Sequence, residues 1–450
     1  MVVSAVGQAD DVALLSNCIH SLYNLLSLTL SFCQQFNIDL CADKTKLLLI
    51  TNNNSDINSK TIPINPITIA SKQISFTESA EHVGVIRSIQ GNIPHICGRI
   101  SAHRKALGAL LFSGIAQSHR ANPAASVRIE KLYAMPVLFS GVASLVLNRS
   151  EIEMIDHHYK TTLSNLLKLY PGTPTPFIYF MCGSLPAKAI LHLKQLGLFI
   201  MICQLHGDPL NRRARQVLTK GKPSSKSWFI QIRDICLLYD LPHPLQLLSN
   251  PPSKQTFKKL AKAQVISYWE LKLRQEASFL TSLVYFKPEY SSLAAPHPIY
   301  LTAGSNPYEV AKAVVQGRML SGRYRTEQMA RHWSSNKEGY CKGTMCSQIC
   351  ETLEHILLWC PSYSSTRVKL VSLWHSTAIP LVSSLVTSIL NGPSLSIVQF
   401  LLDASSHPQV IRLTQNFGSE VLKTIFHLTR TWCYAVHRHR AILLGRWCSY

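Results

Sequence analysis

Cys341-x4-Cys346-x8-His355-x4-Cys360 constrains its surroundings more tightly than any other segment of this 450-residue chain. Thiolate sulfur and imidazole nitrogen are the usual donors to structural zinc. The ion takes four of them in a tetrahedron, commonly two from a tight turn and two from the element that follows. The spacing predicts a cysteine-bearing turn and then a short helix over Glu351 to Leu358 that presents His355. Five residues on an ideal helix turn through about 140°, so Cys360 reaches the same ion only if that helix has ended. Pro361, directly behind it, disfavours helical geometry at Cys360. Cys350 lies in the same loop and offers a second set, Cys346-x3-Cys350-x4-His355-x4-Cys360. A third reading is a group of buried thiols that binds nothing.

Thirteen cysteines are many, but four of them crowd between 341 and 360, which favours metal in a reducing compartment over a disulfide framework. Met1-Val2-Val3-Ser4 lacks the basic start of a secretory leader. The longest apolar stretch, Ala134 to Leu147, contains Pro136 and is too short to span a bilayer. An intracellular protein with no membrane segment is expected. With 46% hydrophobic and 15% charged residues, the chain has ample material for a packed core, and its length suggests about two to four domains.

The net charge of +21 is unevenly placed, since residues 1–100 hold six Lys/Arg against seven Asp/Glu. All the excess lies downstream, which fits a polyanionic partner, RNA or DNA. Candidate contacts are Arg99, Arg104 and Lys105 along a helix beginning near Ile93, the cluster Arg212, Arg213 and Arg215, and Arg323 and Arg325 in a segment opened by Gly322. His437 to Arg440 reads as a basic tail. Cations on helix faces are more often solubilising, so each is weak alone.

At the other end, Val2 to Leu15 sets two β-prone runs around a turn bearing Asp10 and Asp11. Adjacent carboxylates repel, and a hard divalent cation such as Mg²⁺ relieves the pair; a solvated turn is the alternative. Asn17 to Phe36 then places Ile19, Leu22, Tyr23, Leu26, Leu30, Cys33 and Phe36 at helical spacing behind a Ser16 cap. Asp43-Lys44-Thr45-Lys46 leads into a strand at Leu47 to Thr51. Downstream the texture is helical, with helices at about Ser126 to Leu132, Val137 to Leu147, Glu151 to Leu169, Pro186 to Leu205, Trp228 to Leu248, Phe257 to Leu283, Pro307 to Leu320, Leu370 to Leu390, Pro393 to Leu402 and Val421 to Tyr434. The expected class is α+β and mostly helical.

Hairpin, helix and Lys-bearing turn into a strand resemble the later palm of reverse transcriptases from LINE-type (non-LTR) retrotransposons. Gln8-Ala9-Asp10-Asp11 is similar to their aromatic-Ala-Asp-Asp box, with Gln8 in the aromatic place. Lys44-Thr45 is similar to the core of the following box, with Cys41 where an Asn is usual. Glu81 to Val85 looks like the motif leading to their thumb. Glu351-Thr352-Leu353-Glu354-His355-Ile356-Leu357-Leu358-Trp359-Cys360-Pro361, with Arg367 beyond, resembles their C-terminal Cys/His motif, and this favours Cys341 over Cys350. The resemblance implies a partial palm (1–90), a helical thumb (91–205), a helical linker region (206–337), a zinc knuckle (338–367) and a helical C-terminal tail (368–450). It further implies Mg²⁺ at Asp10 and Asp11, Lys44 assisting phosphate chemistry, zinc at the knuckle, RNA and DNA partners, and nuclear work. Two-metal phosphoryl transfer needs a third carboxylate, which the family carries upstream of this hairpin. None of Asp156, Asp208, Asp234, Asp240 or Asp403 sits in a convincing β run. The expectation is therefore the 3′ portion of a retrotransposon reading frame, catalytically incomplete alone, or else a stand-alone zinc-containing nucleic-acid binder.

Overall fold

The structure, a computed structural model, describes residues 5–8, 11–48, 67–69, 72–74, 76–110, 121–205, 207–222, 226–331, 338–346, 348–376 and 380–445. These residues are mostly helical, with strands confined to three two-stranded antiparallel hairpins, so the α+β, mostly helical class holds. The chain divides into two compact units, residues 1–103 with 137–153, and residues 104–136 with 154–450.

In the first unit β1 (Ala5–Gln8) pairs with β2 (Asp11–Leu14), and the Gln8–Asp11 register leaves a two-residue connection. That connection, Ala9-Asp10, lies outside the described residues. The following helix is Ile19–Gln35, and its cap is Cys18, not Ser16. Ser16 Oγ is occupied one step earlier, accepting the Cys18 N–H at 3.2 Å, while the Cys18 sulfur accepts from Ser21. Leu22, Tyr23, Leu26 and Leu30 pack on Ile67, Ile69 and Ile74 around the β3–β4 hairpin (Thr68–Ile69, Lys72–Gln73), each fully buried aliphatic side chain being worth roughly 1.5–3 kcal/mol. Phe36 departs from the expected face: as the C-cap it has left helical geometry, stays exposed and lies 4.6 Å from the Phe32 ring. Leu47 makes a single parallel bridge to Phe76, Leu48 is not in a strand, and the remaining residues of the expected strand, 49–51, lie outside the described residues.

Glu81 to Val85 forms the turn of a hairpin between β5 (Ser79–His82) and β6 (Val85–Ser88). Val83 and Gly84 both have positive φ, 52° and 72°, the pattern of a type I′ turn. The turn costs more with a β-branched residue in the left-handed region. The helix expected over Val137 to Leu147 is not formed. Helical geometry stops at Leu138, Gly141 turns at φ 72°, and a short 3₁₀ turn covers Val142–Ser144. The reason is a close approach: a Cβ on Gly141 would lie 2.8 Å from Val85 and 3.0 Å from the His95 Nε2. His95 is fully buried, accepts the Ile86 N–H at Nδ1 (3.2 Å) and donates from Nε2 to the Ser140 carbonyl (3.1 Å). Burial lowers its pKa, so the ring is a neutral brace.

In the second unit several helices start with proline at the first turn behind a side-chain cap, as at Asp208-Pro209, His243-Pro244 and Asn306-Pro307. Proline lacks the N–H that a first turn leaves unpaired anyway. The Pro307–Leu320 helix appears with its expected ends. Helix Lys254–Ser278 buries Phe257, Ala261, Val265, Trp269, Leu273 and Ala277, an unbroken row at i+4 that lies against helix Ala187–Cys203 as a ridge does in a groove. Helices Pro307–Leu320 and Ser394–Leu402 pack on the long helix Ser419–Leu443. The supposed basic tail at His437 to Arg440 is therefore the last part of a core helix, with Arg440 buried and Arg438 exposed. No single described helix is long and apolar enough to cross a membrane. The bent pair Thr175–Cys182 and Ala187–Cys203 passes on composition, and most of its residues are buried within the unit.

Candidate metal centre

A small knuckle is built first by backbone. Tyr340 and Cys350 form an antiparallel bridge, the Cys341 N–H donates to Ile349 O at 2.8 Å, and the Glu351 N–H donates to Gly339 O at 3.0 Å. Inside this loop the Cys346 N–H closes on Gly343 O at 2.9 Å, and the Gly343 N–H points at the Cys341 sulfur at 3.4 Å. Gly343 leaves room for Ser362, whose Oγ would lie 2.4 Å from a Cβ there and would have to turn away. Thr352 Oγ1 then accepts the His355 N–H at 3.0 Å and starts a helical turn. The turn is wider than expected: His355–Trp359 is π-helical, and the Cys360 N–H donates to His355 O at 2.7 Å. An i→i+5 bond lays Cys360 back over His355, and at Cys360 the chain has left the helix, with ψ 118°.

These elements bring one donor atom each from Cys341, Cys346, His355 and Cys360 to within 4.8 Å of one another, with all four residues buried. The Cys360 sulfur lies 3.8 Å from that of Cys341 and 3.5 Å from that of Cys346. A tetrahedron with metal–sulfur bonds of about 2.3 Å has edges of about 3.8 Å. His355 Nε2 is buried without a hydrogen-bond partner, an expense that a metal ligand would not incur once bound. Burial lowers the His355 pKa, leaving the neutral imidazole that ligates. Burial first, then the Cys360 and Cys346 sulfurs, push the Cys341 thiol up to about 12, against the Gly343 N–H. A cation is what would let these sulfurs ionise together. The group can thus hold a metal ion such as zinc. Cys350 stands apart, exposed on the rim of the knuckle.

The knuckle is fastened to helix Ser419–Leu443 by long-range pairings that the sequence did not indicate. Arg440 donates from Nε and Nη2 to the two oxygens of Glu351, at 2.8 and 2.7 Å, and both residues are buried. Glu327 stands 3.9 Å from the same guanidinium. The Trp432 indole N–H donates to Leu357 O at 3.3 Å, and Thr366 Oγ1 meets His439 Nδ1 at 2.9 Å. His437 contacts the Tyr324 hydroxyl at 2.7 Å, and burial first, then Arg440 and Arg318, bring its pKa down to about 4. Arg367 is half-buried near Cys360, and its Nη1 has no hydrogen-bond partner.

The remaining site residues scatter. Asp11 is exposed at the start of β2, Asp10 lies outside the described residues, and Lys44 is exposed in a turn. Arg99 is half-buried, while Arg104 and Lys105 are exposed. Arg212 and Arg213 are exposed on helix Pro209–Lys220. Arg215 turns inward, bonding Asn211, Ser249 and the Leu248 carbonyl. Arg323 is half-buried, and Arg325 lies over the Tyr170 ring at 4.9 Å, as does Arg318. The downstream aspartates have structural work. Asp156 accepts from Tyr179 and Ala187, Asp208 caps a helix, Asp234 pairs with Arg233, and Asp403 is buried 3.6 Å from His297. Asp240 occupies a helix-ending turn at φ 50°. No protein-family model, curated protein or solved structure matches this chain.

Proposed function

We propose that this chain is the downstream part of a LINE-type reverse transcriptase, with a zinc-stabilised knuckle, that binds RNA or DNA and has no polymerase activity by itself. The observation that carries the reading is the convergence of Cys341, Cys346, His355 and Cys360 at near-tetrahedral sulfur spacing, in the segment whose residues most closely resemble the family's C-terminal motif. Zinc, when bound, supplies a structural cross-link; Glu351 and Arg440 then hold the knuckle against the long C-terminal helix. The strong positive charge after residue 100 supports a polyanionic partner. Asp10 and Asp11 would take Mg²⁺ only with a third carboxylate. The five downstream aspartates are engaged in caps, turns and pairs of their own.

Binding of a labelled nucleic acid across a salt series tests the partner. Affinity should fall on the order of a thousandfold between 50 and 200 mM salt if six or more phosphates are contacted. No binding at low salt, or a flat salt dependence, overturns the nucleic-acid reading. Metal content tests the knuckle separately, with one zinc per chain expected and none in a His355→Ala protein.

A further inference from the structure

Helices Ala187–Cys203 and Lys254–Ser278 enclose a groove of about 460 Å³, lined by Leu193, Leu198, Met201 and Phe257 and by Lys194, Lys258 and Lys262. The lysines of the second helix are arranged against its own stability. Lys254, Lys258 and Lys262 recur at i, i+4 and i+8 with Lys259 beside them, and no acid stands in the first turn. Like charges at that spacing repel, and the start of a helix is its positive end, where cations are disfavoured. The helix's acids, Glu270 and Glu276, lie in the opposite half. Among the described residues no ion pair reaches any of these four lysines. Across the groove Lys194 is half-buried, and desolvation lowers its pKa. The stem of Lys258 passes over Gly197, where an added Cβ would sit 3.7 Å from its Cε. The four lysines of the second helix repel one another, and an anion lying along them would relieve that repulsion.

We propose that this groove is a binding track for single-stranded nucleic acid, with phosphates on Lys258 and Lys262 in its lining and on Lys254 one turn before them, and unpaired bases against the apolar floor. This rests on the nucleic-acid reading above and names where the strand lies. A duplex turns its bases inward and has no use for an apolar floor; an unpaired strand exposes base faces that can be buried against apolar side chains. Met201 is 44% exposed in the groove lining, a polarisable apolar side chain left available for that contact.

The test is a Lys254→Glu/Lys258→Glu/Lys262→Glu protein, full length and zinc-loaded, compared with the unaltered chain on a labelled single strand and on the matching duplex. Single-strand affinity at 100 mM salt should fall on the order of a hundredfold, and the salt slope should shrink by about 0.7 for each phosphate that is no longer neutralised. The thermal midpoint should stay close to that of the unaltered chain, because all three positions are exposed and one like-charge row replaces another, so weaker binding cannot be put down to unfolding. If the unaltered chain binds neither nucleic acid, the general reading falls and this one with it. If the unaltered chain binds and the triple variant binds with the same slope, only the track is overturned. A loss confined to the duplex, or binding transferred to phosphatidylserine vesicles, overturns the single-strand assignment.

Discussion

Between Cys341 and Cys360 four donor side chains meet within 4.8 Å, all buried and supported by the knuckle's own backbone bonds. At the N-terminal hairpin, Asp11 stands exposed on a two-stranded ribbon, and the downstream aspartates are engaged in caps, turns and pairs of their own. Both segments put metal-ligand residue types at a tight turn. The knuckle assembles its donors from one continuous stretch, whereas a two-metal site at the hairpin would need a further carboxylate from outside it. Soft thiolates and imidazole on a short loop can close a tetrahedron locally. Hard-cation chemistry with two metals needs carboxylates converging from separate strands.

The largest effect expected from this contrast is at the knuckle itself. Apparent binding free energies of structural zinc run to roughly 10–16 kcal/mol, so Cys360→Ala or chelation should remove the metal and open residues 338–367 to hydrogen exchange. Protection that survives metal loss would break the contrast.

The pH dependence should be steep in a stated direction. Cys341 is pushed up to about 12 and Cys346 is also raised, by burial first, so binding zinc must displace thiol protons. Apparent affinity should then climb with pH below the thiol range, by up to about three log units per pH unit if all three thiols release protons, and zinc should leave as pH falls. A pH-independent affinity between pH 5 and 8 would mean that the thiols are not the donors.

Arg440→Met tests the fastening. Removing one partner of a buried ion pair costs about 3–5 kcal/mol, read as a lower urea midpoint in zinc-loaded protein. The double variant Glu351→Leu/Arg440→Met should recover only part of that loss, because the Glu327 N–H loses its acceptor on Glu351. An unchanged midpoint in the single variant would show that the knuckle does not depend on the C-terminal helix.

The smallest effects should come from Asp11→Ala and Cys350→Ser. Both are exposed, and substitutions at such positions usually change stability by about 0.5 kcal/mol or less. Zinc content should stay at one per chain in each. Primer extension on a homopolymer template with Mg²⁺ or Mn²⁺ should be absent with and without Asp11. Extension by the parent protein that Asp11→Ala abolishes would give the hairpin a working site after all.

Local chemistry was readable from the residues alone. Proline and cap residues marked Pro307–Leu320 at both ends, and the donor spacing with Pro361 placed the end of the helix before Cys360. These features depend on neighbours a few positions apart, so periodicity and turn chemistry carry them. Tertiary structure decided what such signals cannot reach. Pairing of Tyr340 with Cys350 points one cysteine out and leaves Cys341 in. The close packing of Gly141 against Val85 and His95 breaks a stretch that reads as helix. Arg440 looked like part of a basic tail because its partner, Glu351, lies 89 residues away. The physical reason is desolvation: a charge is tolerated inside only where folding brings an opposite charge to it, and no local pattern records which distant residue that will be.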